Sequence, residues 1–503
     1  MAAVSAANAQ GAWDGLLLSQ TQYEGTARFT AMGGAFAALG GDFTTLSVNP
    51  AGIGVYRNTE LTFSLAFNHG NTEAKYLAGN PITDSYVNVG VNNLGIVFGD
   101  AHGSDGLVSL NWGVGYNKLH NVTNRRITAS GTSGNSSILT VLANELTEAH
   151  PPTLSHELDT DNIFDNLSSA YWSHILAWQT GLIDTINQKY ITATENASDL
   201  SQSGLLKHAY YAEQAGHTGE YVFSLGGNIS NRFYFGFTAG MQAIRNEYYK
   251  KYSETAVNPS DFDTAENPTK FSDFTYSERL NTSGTGYNVK LGFIWKPAAG
   301  LRWGAYFHSP TWMYLTDKFS EQINSHFSDG DRFSSDVSST SDYKVVTPVK
   351  WGTGFAYIFD NYGLISIDYE GTDYSTLKMY GLEDNYYVRW TDVDDEVREE
   401  FKVATHIRAG VEYRIKQYAL RGGYAYYGSP VKNDDSYARH IISAGAGYQS
   451  GGYFIDAVYS ASPGNKETLS PYKKETLSLY ADNNNLKNTN FAGKFLITLG
   501  FRF

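Results

Sequence analysis

The amino-acid sequence predicts an all-β protein, a 14-stranded antiparallel transmembrane β-barrel with an N-terminal plug in its lumen and helical insertions in its extracellular loops. Three observations lead there. Apolar residues, many of them aromatic, recur at every second position in one segment after another. The connections between those segments alternate between short and long. And among the 503 residues no apolar run approaches the roughly 18 to 20 residues that a membrane-crossing helix needs. A composition with 37 Tyr, 27 Phe and 50 Gly suits strands and tight turns. The mean hydropathy of −0.35 is compatible with a membrane barrel, because only alternate residues of each strand face lipid.

The chain opens with a compartment signal. Ala7-Asn8-Ala9 ahead of Gln10 has the small-x-small form of a signal-peptidase site, so residues 1–9 read as a signal-peptide remnant and the mature protein as exported. Residues 10–58 do not alternate. Their small, apolar stretch from Gly25 to Asp42, followed by Leu46 to Gly52, reads as a compact plug or hatch. No Gly-Lys-Ser/Thr follows the glycines, which excludes a phosphate-binding loop.

From residue 59 to 503 the pattern is a barrel. Segments fall near 59–68, 86–99, 106–118, 219–229, 232–250, 276–296, 301–317, 343–359, 362–378, 400–414, 417–430, 437–449, 452–463 and 491–503. Ser230-Asn231, Asp360-Asn361 and Ser450-Gly451 mark tight turns, and the longest connection, 119–218, reads as one extracellular loop. An even count of strands with short turns on one side is the outer-membrane pattern, and it places both barrel ends on the periplasmic side. The last strand alternates Phe495, Ile497, Leu499, Phe501 and Phe503 with polar or small residues and ends on an aromatic, as outer-membrane barrels do.

One segment changes phase. Val87, Val89 and Val91 share a face that Leu94, Ile96 and Phe98 can share only if one extra residue sits near Asn92-Asn93. That reads as a β-bulge and a kinked wall, or else as a strand that begins at Leu94. Within the long loop, Tyr171, Ile175, Trp178, Leu182 and Ile186 recur at three and four residues, a helical apolar stripe, and Ile138, Leu139, Leu142 and Leu146 suggest a shorter helix. Those helices either pack on each other over the barrel mouth or leave a groove for an apolar ligand. The strand phase turns Asp368, Glu370, His406, Arg408, Glu412, Arg414 and Arg421 into the lumen. There they brace the wall as ion pairs, or Arg408 or Arg421 holds a ligand carboxylate.

Several function classes fall away. The absence of Cys excludes disulfide frameworks, thiolate metal sites and cysteine nucleophiles. A net charge of −14 argues against nucleic acid as partner. The acidic run Asp392 to Glu396 reads as a solvated loop; it lacks the spacing of a calcium loop, and no metal or cofactor is expected. No nucleophile motif stands out, so no enzyme is expected.

Arg28, Met32-Gly33-Gly34-Ala35, Gly40-Gly41-Asp42 and Asn49-Pro50-Ala51, followed by this strand rhythm, resemble the FadL/TodX family of outer-membrane transporters. Thr285 to Phe293 and His308-Ser-Pro-Thr-Trp312 resemble the branch often labelled "hemin receptor", a label that says nothing of haem here. The resemblance implies passive import of long-chain fatty acids or other hydrophobic compounds, with lateral release. It implies a hatch in which Asn49, Pro50, Ala51, Gly33 and Gly34 lie, and an opening beside Asn92 and Asn93. Its surroundings would be outer-membrane lipid and lipopolysaccharide. The alternative is a partner-binding structural subunit of an outer-membrane secretion or assembly complex.

Overall fold

Hydrogen bonds that close on themselves organise the computed structural model, which describes residues 11–134, 136–148, 158, 162–186, 189–196, 199–203, 205–263, 269–383, 385–464, 466–469 and 485–503. The signal-peptide remnant expected at Met1 to Ala9 lies outside the described residues. In chain order the barrel strands are β1 (Glu60–Tyr76), β2 (Ile82–Phe98), β3 (Leu107–Ser133), β4 (Leu206–Ile229), β5 (Phe233–Ala256) and β6 (Phe271–Trp295). Next come β7, interrupted between Leu301–His308 and Trp312–Phe327, and β8, interrupted between Arg332–Val346 and Lys350–Phe359. The ring is completed by β9 (Gly363–Asp373), β10 (Val403–Ile415), β11 (Tyr418–Tyr427), β12 (Arg439–Ser450), β13 (Tyr453–Ser462) and β14 (Leu486–Arg502). Each pairs with its sequence neighbour, and β14 returns to β1 from Arg502↔Glu60 to Leu486↔Tyr76, closing 14 antiparallel strands.

The outward set is the expected one: Leu110, Trp112 and Val114, Phe233, Phe235 and Phe237, and Tyr287, Val289 and Leu291 are all exposed. The turns at Ser230, Asn231, Asp360 and Gly451 take positive φ, as tight hairpins between twisted strands require. Lengths differ from the sequence expectation. β3 continues to Ser133 and β4 starts at Leu206, so most of the predicted loop ends at 119–133 and 206–218 are strand. Their polar outer faces, such as the Arg126–Glu213 pair, carry no lipid-facing signal and conceal the extension. β1, β2, β6, β8 and β14 likewise start or end beyond the predicted segments.

The long connection folds into a lid. Helices lie at Ile138–Glu148 and Trp172–Gln179, and a small hairpin pairs Ile183–Ile186 with Lys189–Thr192. The second helix stops at Gln179, so Leu182 and Ile186 of the predicted stripe are not on it; Gly181 takes φ +67 and breaks the turn. The acidic run is not a loop either, but part of the helix Thr391–Glu400, whose Val393 and Val397 pack inward.

The N-terminal segment fills the lumen. Helix α1 (Ala12–Ser19) lies under that acidic helix, with Ala12 and Leu16 against Leu377, Met379, Val393 and Val397. Helix α2 (Ala27–Ala31) follows, capped by Thr26 and terminated by Gly33 and Gly34 in the left-handed region. Two 3-10 turns complete it, Phe43–Ser47 and Pro50–Val55. Wall glycines admit this backbone. A Cβ on Gly423 would lie 2.1 Å from the Gly33 nitrogen. Gly423→Val is therefore expected to cost about 1–3 kcal/mol or more of hatch docking. The strands should stay heat-modifiable in gels while the N-terminal segment becomes protease-sensitive; a resistant segment would contradict the close approach.

Candidate hatch and lateral opening

Asn49 is the pivot of the hatch. Its side-chain amide donates to the Ala37 carbonyl at 2.6 Å and to the wall carbonyl of Phe293 at 3.1 Å. Its Oδ1 accepts from the Ala51 N–H at 3.1 Å and so caps the turn that Pro50 starts. One fully buried residue thus joins two hatch segments to the barrel. Gly292 leaves room for it, since a Cβ there would meet Oδ1. Further ties run to the wall: Ala37 N–H to Asp368 at 2.8 Å, His308 Nε2 to the Val48 carbonyl at 2.6 Å, and Asn111 to the carbonyls of Ile53 and Tyr56.

The lumen charges form two clusters. Arg408 donates to Glu370 at 2.8 Å and lies over the rings of Tyr23 and Tyr427, while Tyr306 gives its hydroxyl to the same carboxylate. Nearer the periplasmic mouth, Glu412 collects Arg28 of the hatch at 3.1 Å, Arg421 at 2.7 Å and Arg414 at 2.6 Å. Arg421 also reaches Asp456. Both Arg408 and Arg421 are thereby engaged in ion pairs across the lumen wall.

The wall is incomplete at one place. β2 pairs with β3 only from Asn93↔Asn117 to Phe98↔Trp112. Asn92 is the extra residue, because Ser64 faces Asn93 and Leu65 already faces Val91. A second bulge lies opposite: Lys118 faces Gly219 and His120 faces Thr218, leaving Leu119 unpaired with β4. Above these bulges the strands part around a cleft of about 730 Å³ lined by Val89, Val91, Leu94, Tyr116, Lys118 and Tyr221, among others. The freed edge of β3 is not bare. Gln22 N–H donates to the Leu119 carbonyl at 2.9 Å and Glu24 N–H to the Lys118 carbonyl at 3.1 Å. The bulge itself touches the hatch, with Asn92 Nδ2 3.4 Å from the Gly25 carbonyl, and Asn93 binds Asn117, which binds Ser47.

The fold of this closed barrel has known counterparts. The family model described as "Outer membrane protein transport protein (OMPP1/FadL/TodX)" matches residues 179–503. The chain belongs to this family. Among solved structures, the P. putida toluene transporter TodX aligns over 96% of this chain and 99% of its own, with a TM-score of 0.55 and 13% identity. A Pseudomonas aeruginosa FadL homologue gives 0.54 and 14%, with the same coverage. At such identities the likeness is one of fold. No curated protein matches. This FadL/TodX-family chain is an outer-membrane transport protein.

The predicted residues divide on the structure. Asn49, Pro50, Ala51, Gly33 and Gly34 are all buried in the hatch, and Asn92 and Asn93 turn inward at the bulge. Asp368, Glu370, Arg408 and Arg421 face the lumen as the strand phase implied. The loop groove is corrected: Ile175 and Leu182 are fully buried in the core of the lid, Tyr171 and Trp178 pack against that core, and Ile186 is 48% exposed on the hairpin. The apolar faces pack on each other and on Tyr76, Tyr252, Phe271 and Phe274 of the strands, so these five residues line no open groove. The lid is pinned by Glu254 of β5, which accepts from the Ser137 hydroxyl and the Ile138 N–H at the start of the first lid helix. Among the described residues no group of acidic and His side chains is arranged to hold a metal ion. Sequence reading missed the second bulge and the contacts of Gln22 and Glu24, which no periodicity marks.

Two outcomes follow for the hatch. Asn49→Ala removes two donated bonds and one accepted, about 1–3 kcal/mol of anchoring. Its single-channel conductance in planar bilayers should show openings that the parent lacks, whereas an unchanged quiet trace would free Asn49 of that duty. Asp14 on α1 has its carboxyl pushed up to about 6, chiefly by desolvation, with Asp317, Glu396 and Glu278 adding repulsion. A raised acid favours the docked state when protonated, so docking of α1 is strongest below about pH 4, weakens up to about pH 6 and is flat above. A spin label on Leu17→Cys, the only cysteine in the chain, should gain mobility across that window. Asp14→Asn should abolish the change.

Proposed function

We propose that this protein passively imports long-chain fatty acids or similar hydrophobic compounds, passing them from the lumen sideways into the outer membrane between β2 and β3. The observation that carries the reading is the wall itself. Two strands that pair for six residues and then separate, each with a bulge at the point of parting, leave a cleft bordered by aliphatic and aromatic side chains. A uniform barrel would not waste the hydrogen bonds, since an unpaired strand edge has no water to satisfy it in hydrocarbon.

Hydrophobic solutes are stopped by the polar outer leaflet, and a lateral route spares them a second crossing into water. The hatch controls that route because Gln22 and Glu24 occupy the β3 edge and Asn92 reaches Gly25. A ligand that displaces residues 22–25 opens the lumen and uncovers the cleft in one movement. The source of free energy is the concentration gradient; no nucleotide-binding loop follows the hatch glycines. The structures named above support the reading by fold, and the words "toluene transporter" in the name of one of them concern that protein alone.

Deleting Asn92 is the direct test. It restores an unbroken register with β1 while keeping Val91 and Leu94 outward. Proteoliposomes carrying the deletion should take up a radiolabelled fatty acid at least about tenfold more slowly than the parent, a barrier change of about 1.4 kcal/mol. Undiminished uptake by a barrel that is folded in gels would place the exit elsewhere.

A further inference from the structure

Lys118 is the anomaly in the cleft. By strand phase it belongs with Leu110, Trp112, Val114 and Tyr116, the set that faces lipid. Instead of extending outward it is 6% exposed and lies across the opening, where a Cβ on Gly90 of β2 would sit 3.1 Å from its Nζ. Among the described residues it makes no ion pair and no hydrogen bond through Nζ. A buried ammonium with no bonded partner is a costly arrangement that soluble cores avoid.

The surroundings are short of negative charge. Glu24 is the carboxylate that acts on Lys118, and it already holds Lys494 of β14. Arg245 and Glu247, which also line the cleft, pair with each other, so one carboxylate between two lysines leaves one positive charge over. Around it, Val89, Val91 and Leu94 present an aliphatic strip to the bilayer at 56%, 41% and 50% exposure, with Tyr116 and Tyr221 on the other side. The volume of about 730 Å³ is in the range of a site for a small amphiphile.

We infer that Lys118 is a head-group site in the lateral opening: its ammonium binds the carboxylate of a long-chain acid whose tail lies along Val89, Val91 and Leu94. The inference rests on the lateral route proposed above and names the substrate class that the route prefers, a single-chain monoanion. Access separates this ligand from a resident phospholipid or lipopolysaccharide. Val89 and Val91 point outward, so Gly90 between them faces the lumen, and the Lys118 ammonium beside its Cβ position, with Glu24 of the hatch acting on it, sits on the lumen side of the cleft. A carboxylate leaving the lumen meets it there. Charge attraction at Lys118 also supplies a reason for a hydrophobic exit to contain a lysine at all.

The test compares palmitate with 1-hexadecanol, equal in chain and different in head group, on the full-length protein in a non-ionic detergent. The parent should bind palmitate about tenfold more tightly than the alcohol. Lys118→Met should erase that preference by weakening palmitate alone, and Lys118→Arg should restore most of it. Equal losses for both ligands in Lys118→Met, or none for either, would overturn the inference while leaving the lateral route standing. Displacement of palmitate by phosphatidylglycerol at equal concentration would also overturn it, assigning the lysine to bilayer lipid. If the parent binds neither ligand, the transport reading itself fails, and the head-group site with it.

Discussion

Every backbone N–H and C=O at membrane depth must find a partner within the protein, and the rest of the molecule follows from that demand. It forces 14 strands into a ring that closes from β14 to β1. It makes any gap in the ring an exception that needs a local remedy. The gap between β2 and β3 has one: the bulge residue Asn92 turns its amide to Gly25, and the freed carbonyls of Lys118 and Leu119 accept from Glu24 and Gln22. The hatch is thus more than a stopper. Over residues 22–24 it serves as a short substitute for the missing partner strand.

The lumen meets a second demand, that a ring this wide be filled. Glycines facing inward let hatch backbone lie directly on wall backbone, as at Gly423 and Gly33, while larger contacts are polar and specific. Asn49 ties Ala37 to Phe293, and Glu412 ties Arg28 to the charges of β10 and β11. Apolar cohesion and directed bonds divide the work. The hydrophobic cluster around Phe29, Met32 and Phe36 holds the hatch in place, and the polar ties fix where it sits.

What the sequence made legible tracks what leaves a period. Outward aromatic alternation marked the membrane part of each strand, and the slip between Val91 and Leu94 pointed to an extra residue near Asn92-Asn93, where the register with β1 shifts. Beyond the membrane the outer faces of β3 to β8 turn polar, so the strand extensions carry no such mark and were expected as loop. The stripe from Tyr171 to Ile186 has helical spacing for two different reasons: a helix as far as Gln179, then a turn and a strand that happen to continue it. Leu119 is apolar whether it bulges or not, which hides the second defect. Lys118 was visible in principle. It continues the lipid-facing set of β3, and a lysine there is unexpected unless something draws it inward.

The two bulges acquire their meaning together. A single bulge in β2 would kink that strand and leave β3 free to follow it, keeping the ladder intact. With Leu119 also extruded, β3 follows β4 and abandons β2, and the opening becomes a property of the register rather than of a fluctuation. On the lateral route proposed above, its closure falls to the hatch, whose two backbone donors hold the edge less firmly than a run of strand pairs would. A solute taking that route works against two hydrogen bonds, a weak Asn92–Gly25 contact and the anchoring of Asn49, not against the barrel. Movement in the plug alone then suffices, on the proposed route, to give a closed β-barrel an exit through its side.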